Sequence, residues 1–185
     1  MRAGSSPLVF ASVYHVAPWA ASDAARQRNV RAGLEAARGE MRRLIAFSGD
    51  LLPADEAAAI TQALKDAETE LAGANMDSAS DITSQASAKL ADLRARMVEA
   101  RKERTRAIAD VVASGFDTLQ PPGAPAPREG SAAIARGRQK IEQALQAIDQ
   151  AKFDDARKLL KEGNDLLKKA RTEAGVKAAE EQIRW

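Results

Sequence analysis

The side chains that most often perform catalysis are scarce in this sequence. Its only histidine is His15 and it has no cysteine, which excludes disulfides, thiolate nucleophiles and zinc–cysteine sites. It contains neither a Walker A motif nor a Gly-x-Gly-x-x-Gly motif that would bind phosphates. The acidic pairs Glu68/Glu70 and Asp154/Asp155 lack the Glu-x-x-His pattern of a helical two-metal site. We therefore expect no catalytic residue, no cofactor and no metal site, and we predict that the protein is not an enzyme.

A group of basic side chains at residues 101–106 has the chemistry to bind anions. Arg101, Arg104 and Arg106 lie there, interleaved with Glu103. The whole chain has 28 Lys and Arg against 26 Asp and Glu, so its basic residues are not concentrated as nucleic-acid binding usually requires. A solvated helix face is the ordinary explanation. Weak binding of nucleic acid or of a membrane surface through residues 94–106 stays an alternative, and the three arginines are candidate partner contacts.

Residues 1–20 form an apolar arm with four further candidate contacts, which are Leu8, Phe10, Tyr14 and Trp19. Aromatic side chains are frequent at interface hot spots, so we expect the arm either to bind a partner or to pack on the chain's own helices. Residues 8–16 also have the composition of a short strand. Residues 1–21 resemble a signal peptide in outline, which would imply export. Without export we expect a cytoplasmic protein.

Long helices must position these residues. Alanine and leucine supply much of the apolar content, both favour helix, and apolar residues recur at spacings of three and four. The pattern predicts an all-α fold, in which glycines at positions 49, 73 and 115 end the first three helices. No apolar run reaches the roughly 18 residues needed for a transmembrane segment. The predicted helices cover residues 23–48, 53–72 and 79–114, with a fourth from Ser131 and a fifth after a turn at 151–153.

The apolar faces of these helices predict which side chains are buried. Leu44 and Ile45 belong to the face of the first helix, whereas Ile108, Val111 and Val112 belong to that of the third. We expect all five to contact the core. Residues 101–106 are polar throughout, so we expect the third helix to extend beyond its packing partners in that stretch.

A proline-rich segment at residues 117–130 indicates a domain boundary. Proline favours extended backbone and interrupts helices, so the segment is predicted to be a linker. On this interpretation residues 21–116 form an antiparallel three-helix bundle. Residues 131–185 form a helical hairpin, because a short turn makes two helices antiparallel neighbours.

One stretch of the chain resembles a known family. The sequence Gly-Asp-Leu-Leu-Pro-Ala-Asp at 49–55, followed by Ala59-Ile60, Ala63-Leu64 and Glu-Thr-Glu-Leu-Ala-Gly at 68–73, is similar to the C-terminal helical lid of DnaK-type heat-shock chaperones. The resemblance covers about residues 23–98. It implies a long helix, a loop, a second helix, a glycine-containing turn and a further helix. Because these 185 residues contain neither the family's ATPase domain nor its β-sandwich domain, it implies a lid-like module that acts with a partner and does not hydrolyse ATP.

Taken together, these observations predict a non-catalytic helical interaction module that binds a protein partner or an unfolded client. A chaperone ATPase supplied by another chain is one such partner. The alternative is a structural or scaffolding subunit of a larger complex, including a homo-oligomer. Nucleic acid is the disfavoured partner.

Overall fold

The computed structural model describes the backbone of residues 18–120 and 131–183, and the side chains of residues 22–120 and 132–174. These residues contain five α-helices, a short 3-10 turn at Gly49–Leu51 and no β-strand, so the predicted all-α fold is confirmed. The helices are α1 (Pro18–Ser48), α2 (Ala54–Ala72), α3 (Met76–Leu119), α4 (Ser131–Asp149) and α5 (Phe153–Ile183). None of the described helices is long and apolar enough to cross a membrane.

The glycines predicted to end helices behave in three different ways. Gly49 follows α1 with a φ of 56°, the left-handed conformation expected of it. Gly73 follows α2 but has a φ of −78°, and the left-handed residue is Ala74, at 61°. Gly115 does not end α3, so that prediction is wrong. The helix continues to Leu119 because Gly115 is buried against α5, where its missing side chain leaves room for Leu167.

Contacts divide the chain into two compact units, and the first contains described residues 18–46 and 53–91. In this unit α1 contacts α2 through an ion pair between Arg38 and Glu68. It contacts the start of α3 where Gly33 faces Thr83, since a Cβ on Gly33 would lie 3.7 Å from the Thr83 methyl group. The buried apolar side chains of the three segments are Leu34, Ala37, Met41, Leu44, Ile60, Leu64, Ala67, Leu71, Ala79, Ala86 and Leu90.

The second unit contains described residues 47–52, 92–120 and 131–183. Its core is built by the end of α3 together with α4 and α5. The packing therefore joins residues on both sides of the proline-rich segment, of which 121–130 lie outside the described residues. The core residues are Ala109, Val112, Phe116, Ala133, Ile134, Ile141, Ala144, Leu160, Leu167 and Ala170.

Helices α4 and α5 pack along each other in opposite directions. Near their connecting turn, Ile148 packs with Ala156 in a small buried cluster. Farther from the turn, Gly163 of α5 faces Ile141 of α4. The turn is tight because Ala151 adopts a left-handed φ of 56° and its backbone N–H donates to the carbonyl oxygen of Ile148 at 2.9 Å.

Candidate functional site

The predicted N-terminal contacts cannot be placed from the structure. Leu8, Phe10, Tyr14 and His15 lie outside the described residues. Trp19 belongs to the first turn of α1, but its side chain is also outside the described set. The proposed binding role of the arm therefore stays a prediction.

Arg101 is the centre of an aromatic cluster in the second unit. Its guanidinium carbon lies 4.6 Å from the ring centroid of Phe47 and 5.0 Å from that of Phe153. The two rings meet edge to face, with centroids 5.8 Å apart and an interplanar angle of 60°. In addition, Nη1 of Arg101 donates to the backbone carbonyl oxygen of Phe47 at 2.7 Å. A planar cation is well suited to contact with aromatic rings, so Arg101 holds the connector at 47–52 and the α4–α5 turn against α3.

Arg104 and Arg106 are each paired with an acidic residue of the same unit. Nη1 of Arg104 lies 2.7 Å from both carboxylate oxygens of Asp50. Hydrogen bonding and then Coulombic attraction from Arg104 lower the pKa of the Asp50 carboxyl below its ordinary value. Nη2 of Arg106 lies 2.5 Å from Oδ1 of Asp149 at the end of α4. Both pairs are exposed, so each contributes little to the free energy of unfolding.

The polar stretch at 101–106 therefore has packing partners, and the expectation that α3 extends beyond them there is wrong. Those partners lie 54 residues earlier for Arg101 and Arg104 and 43 residues later for Arg106. A helical pattern within α3 gives no information about such distant segments. The role of the three arginines in partner binding stays a prediction.

A shallow depression adjoins the aromatic cluster. It is lined by Phe47, Arg101 and residues 151–155, which include the carboxylates of Asp154 and Asp155. Nowhere among the side chains of residues 22–120 and 132–174 do three acidic, histidine or cysteine groups come close enough together to hold a metal ion. The charges of its lining cancel, since the positive charges of Arg101 and Lys152 balance the negative charges of the two aspartates.

Three large aliphatic side chains are exposed where the sequence predicts burial. Ile45 and Ile108 are each 50% exposed and Val111 is 72% exposed, whereas the residues that follow or precede them, Leu44, Ala109 and Val112, are 2%, 0% and 8% exposed. Consecutive helical residues point about 100° apart, so both members of such a pair cannot face one narrow core. The predicted burial of Ile45, Ile108 and Val111 is therefore wrong, and that of Leu44 and Val112 is confirmed.

Comparisons of this chain with protein-family models, with curated proteins and with solved structures gave no match.

Proposed function

We propose that this chain is a non-catalytic helical module that binds another polypeptide. The observation that carries the proposal is the exposed pair Ile108 and Val111 on α3. Their spacing of three residues places both on one face of the helix, where they form a small continuous apolar surface. Contiguous exposed apolar surface is one of the features that mark sites covered by a partner.

The order of the first three helices supports a lid-like role for the segment of about residues 23–98. A long helix ends at Ser48, a short turn and Pro53 follow, α2 runs to Ala72, and a turn at Gly73 leads into α3. This is the order that the resemblance to the DnaK-type lid implies. A module of this kind acts mechanically, because its helices cover a bound polypeptide and slow its release.

The test is a holding assay with the purified chain and a chemically unfolded model protein. We expect the chain to delay aggregation of the client, and the double variant Ile108→Ser/Val111→Ser to do so less well, because the substitution removes the apolar contact. The matched control is Ala107→Ser, which adds a hydroxyl at an exposed position of the same helix. Equal activity of both variants and the native chain would remove the pair from the proposal.

The scaffolding alternative rests on the same exposed pair, since a second copy of the chain is another way of covering it. Sedimentation of the pure protein separates the two. A monomer that holds clients supports the interaction module, whereas an oligomer that dissociates in Ile108→Ser/Val111→Ser supports the scaffold. Absence of both client binding and oligomers would contradict the proposed function.

A further inference from the structure

Helix α5 displays a row of basic side chains along one face. Arg157, Lys161, Lys168 and Arg171 follow one another at steps of four, seven and three residues, and all four are exposed. At about 100° per residue these positions fall within roughly 80° of one another on the helix surface. The row is about 21 Å long, since its ends are fourteen residues apart and each residue rises about 1.5 Å.

This basic row is only slightly neutralised by the chain itself. Lys168 approaches the carboxylate of Asp165 at 3.9 Å. Among the side chains that the structure describes, Arg157, Lys161 and Arg171 form no ion pair. By contrast, the candidate arginines of α3 already contact Phe47, Asp50 and Asp149. This face of α5 therefore carries a continuous row of positive charge that the chain itself leaves largely uncommitted.

The exposed aliphatic pair of α3 borders this row. On α3, Gly115 lies four residues after Val111 and seven after Ile108, so the three share a face. A Cβ on Gly115 would lie 2.5 Å from Leu167 Cδ2 and 3.4 Å from Arg171 Nη2. The face of α3 that carries Ile108 and Val111 therefore meets α5 at the edge where the basic row runs.

The two helices also run in the same direction, which aligns the two features. Arg101 near the middle of α3 stacks on Phe153 at the start of α5, and Gly115 near the end of α3 contacts Leu167. Both pairs are separated by 52 residues. With this offset, Ile108 lies level with position 160 of α5 and Val111 with position 163. Both positions are in the central part of the basic row.

We propose that this surface, formed by Ile108 and Val111 of α3 and by the basic row of α5, binds an amphipathic helix with acidic residues beside its apolar stripe. The inference rests on the proposed function and specifies the partner. Charge complementarity decides the occupant, since a partner of this kind places carboxylates opposite uncommitted cations and apolar side chains opposite the aliphatic pair. The length of the row matches a partner helix of about four turns.

Two other classes of anionic partner fit this surface less well. Phosphates of a nucleic acid gain nothing from the aliphatic pair that borders the cations. A helix that lies on a membrane normally presents a wide apolar face with large side chains, and here the apolar area consists of one isoleucine and one valine.

The experiment uses the full-length chain and a fluorescent synthetic peptide of about fourteen residues, the length that covers the row. The peptide carries leucine at helical spacing and glutamate on the flanking positions. We expect its fluorescence anisotropy to rise on binding, and the affinity to fall by about tenfold or more in Arg157→Glu/Lys161→Glu/Arg171→Glu and to fall clearly in Ile108→Ser/Val111→Ser. The matched control, Arg42→Glu/Arg136→Glu/Lys158→Glu, makes the same change in net charge at exposed positions outside the row. All variants are compared at equal helicity by circular dichroism.

Four outcomes would overturn the inference. One is an equal loss of affinity in both triple variants, which would show an effect of net charge alone. Another is equal binding of a scrambled peptide with the same composition, and the third is tighter binding of anionic vesicles or duplex DNA that is lost in the same triple variant. A chain that holds unfolded clients but ignores the peptide would reject this inference and leave the proposed function intact.

Discussion

The ring of Phe116 on α3 occupies the space that a Cβ atom on Gly137 of α4 would need. Phe116 is completely buried, and it belongs to the core that joins α3 to α4 and α5. The close approach of the two helices at this point therefore depends on the absence of a side chain at position 137.

Replacing Gly137 by alanine is expected to destabilise the second unit. Alanine improves helix propensity by roughly 0.5–1 kcal/mol, but forcing a methyl group into a packed core usually costs roughly 1–3 kcal/mol. The steric cost wins here because the ring cannot leave without opening a cavity. Urea unfolding followed by circular dichroism measures the result.

Gly163→Ala is the control for that substitution. Its added Cβ would lie 3.6 Å from Ile141 Cγ1, which is an ordinary contact, so only the gain in helix propensity remains. We expect a rise in stability of roughly 0.5–1 kcal/mol. If Gly137→Ala and Gly163→Ala changed the free energy of unfolding in the same direction, the result would contradict the described packing.

Substitution of Arg101 tests the contact of its guanidinium with the two phenylalanine rings. Arg101→Lys keeps the charge but loses the planar group that lies over Phe47 and Phe153, so we expect a loss of about 1 kcal/mol in the free energy of unfolding. Arg104→Lys is the control, because its exposed pair with Asp50 contributes little. A double-mutant cycle with Phe153→Leu should give a coupling energy that is clearly different from zero. Additive effects would mean that the stacking does not stabilise the fold.

Sequence patterns predicted the helices but not the contacts between distant segments. Spacings of three and four located α1, α2 and α3, because helix formation is decided by nearby residues. The same spacings placed Val111 with Val112 in the core, although only Val112 is buried. Which of two adjacent apolar residues faces inward depends on the direction from which the other helices approach, and local periodicity does not specify it.

The candidate site was predictable to a similar extent. The arginines at 101–106 were recognisable as a basic group, but their partners come from the connector and from the α4–α5 turn. The basic row of α5 was recognisable in principle, since Arg157, Lys161, Lys168 and Arg171 keep to one helix face. Its relation to Ile108 and Val111 required the register between α3 and α5, which depends on Gly115.

Two alanines in left-handed conformations offer a way to stabilise the turns. Ala74 has a φ of 61° and Ala151 a φ of 56°, and a Cβ atom costs roughly 1–2 kcal/mol in this region. Ala74→Gly and Ala151→Gly should each raise the melting temperature, because glycine removes that cost. Ala58→Gly, inside helix α2, is the control and should lower it. A drop in all three variants would show that the two alanines are not left-handed in solution.

Ser48 at the end of α1 has a buried hydroxyl without a hydrogen-bond partner in the described residues. Ser48 is only 4% exposed. An unsatisfied buried hydroxyl costs roughly 1–3 kcal/mol. Ser48→Ala should therefore raise the free energy of unfolding by about 1 kcal/mol, as measured by urea unfolding. The control is Ser114→Ala, which removes a hydroxyl that donates to the carbonyl oxygen of Val111 at 2.9 Å and should give no gain. A loss of stability in Ser48→Ala would indicate that a bound water satisfies the hydroxyl.

The ion pair between Arg38 and Glu68 predicts a loss of stability in acid. A hydrogen bond from Arg38 and then its Coulombic attraction lower the pKa of Glu68 below the ordinary value of 4.5. A carboxyl whose pKa is lower in the folded state stabilises the fold above its unfolded pKa, and this contribution is lost as the pH falls through the folded pKa. Between about pH 6 and pH 3 the native chain should therefore lose more stability than Glu68→Gln, which has no proton to take up at this position. Glu142→Gln, at an exposed position of α4, is the control and should follow the native chain in urea unfolding across the same range. Parallel curves for the native chain and Glu68→Gln would show that the pair does not form in solution.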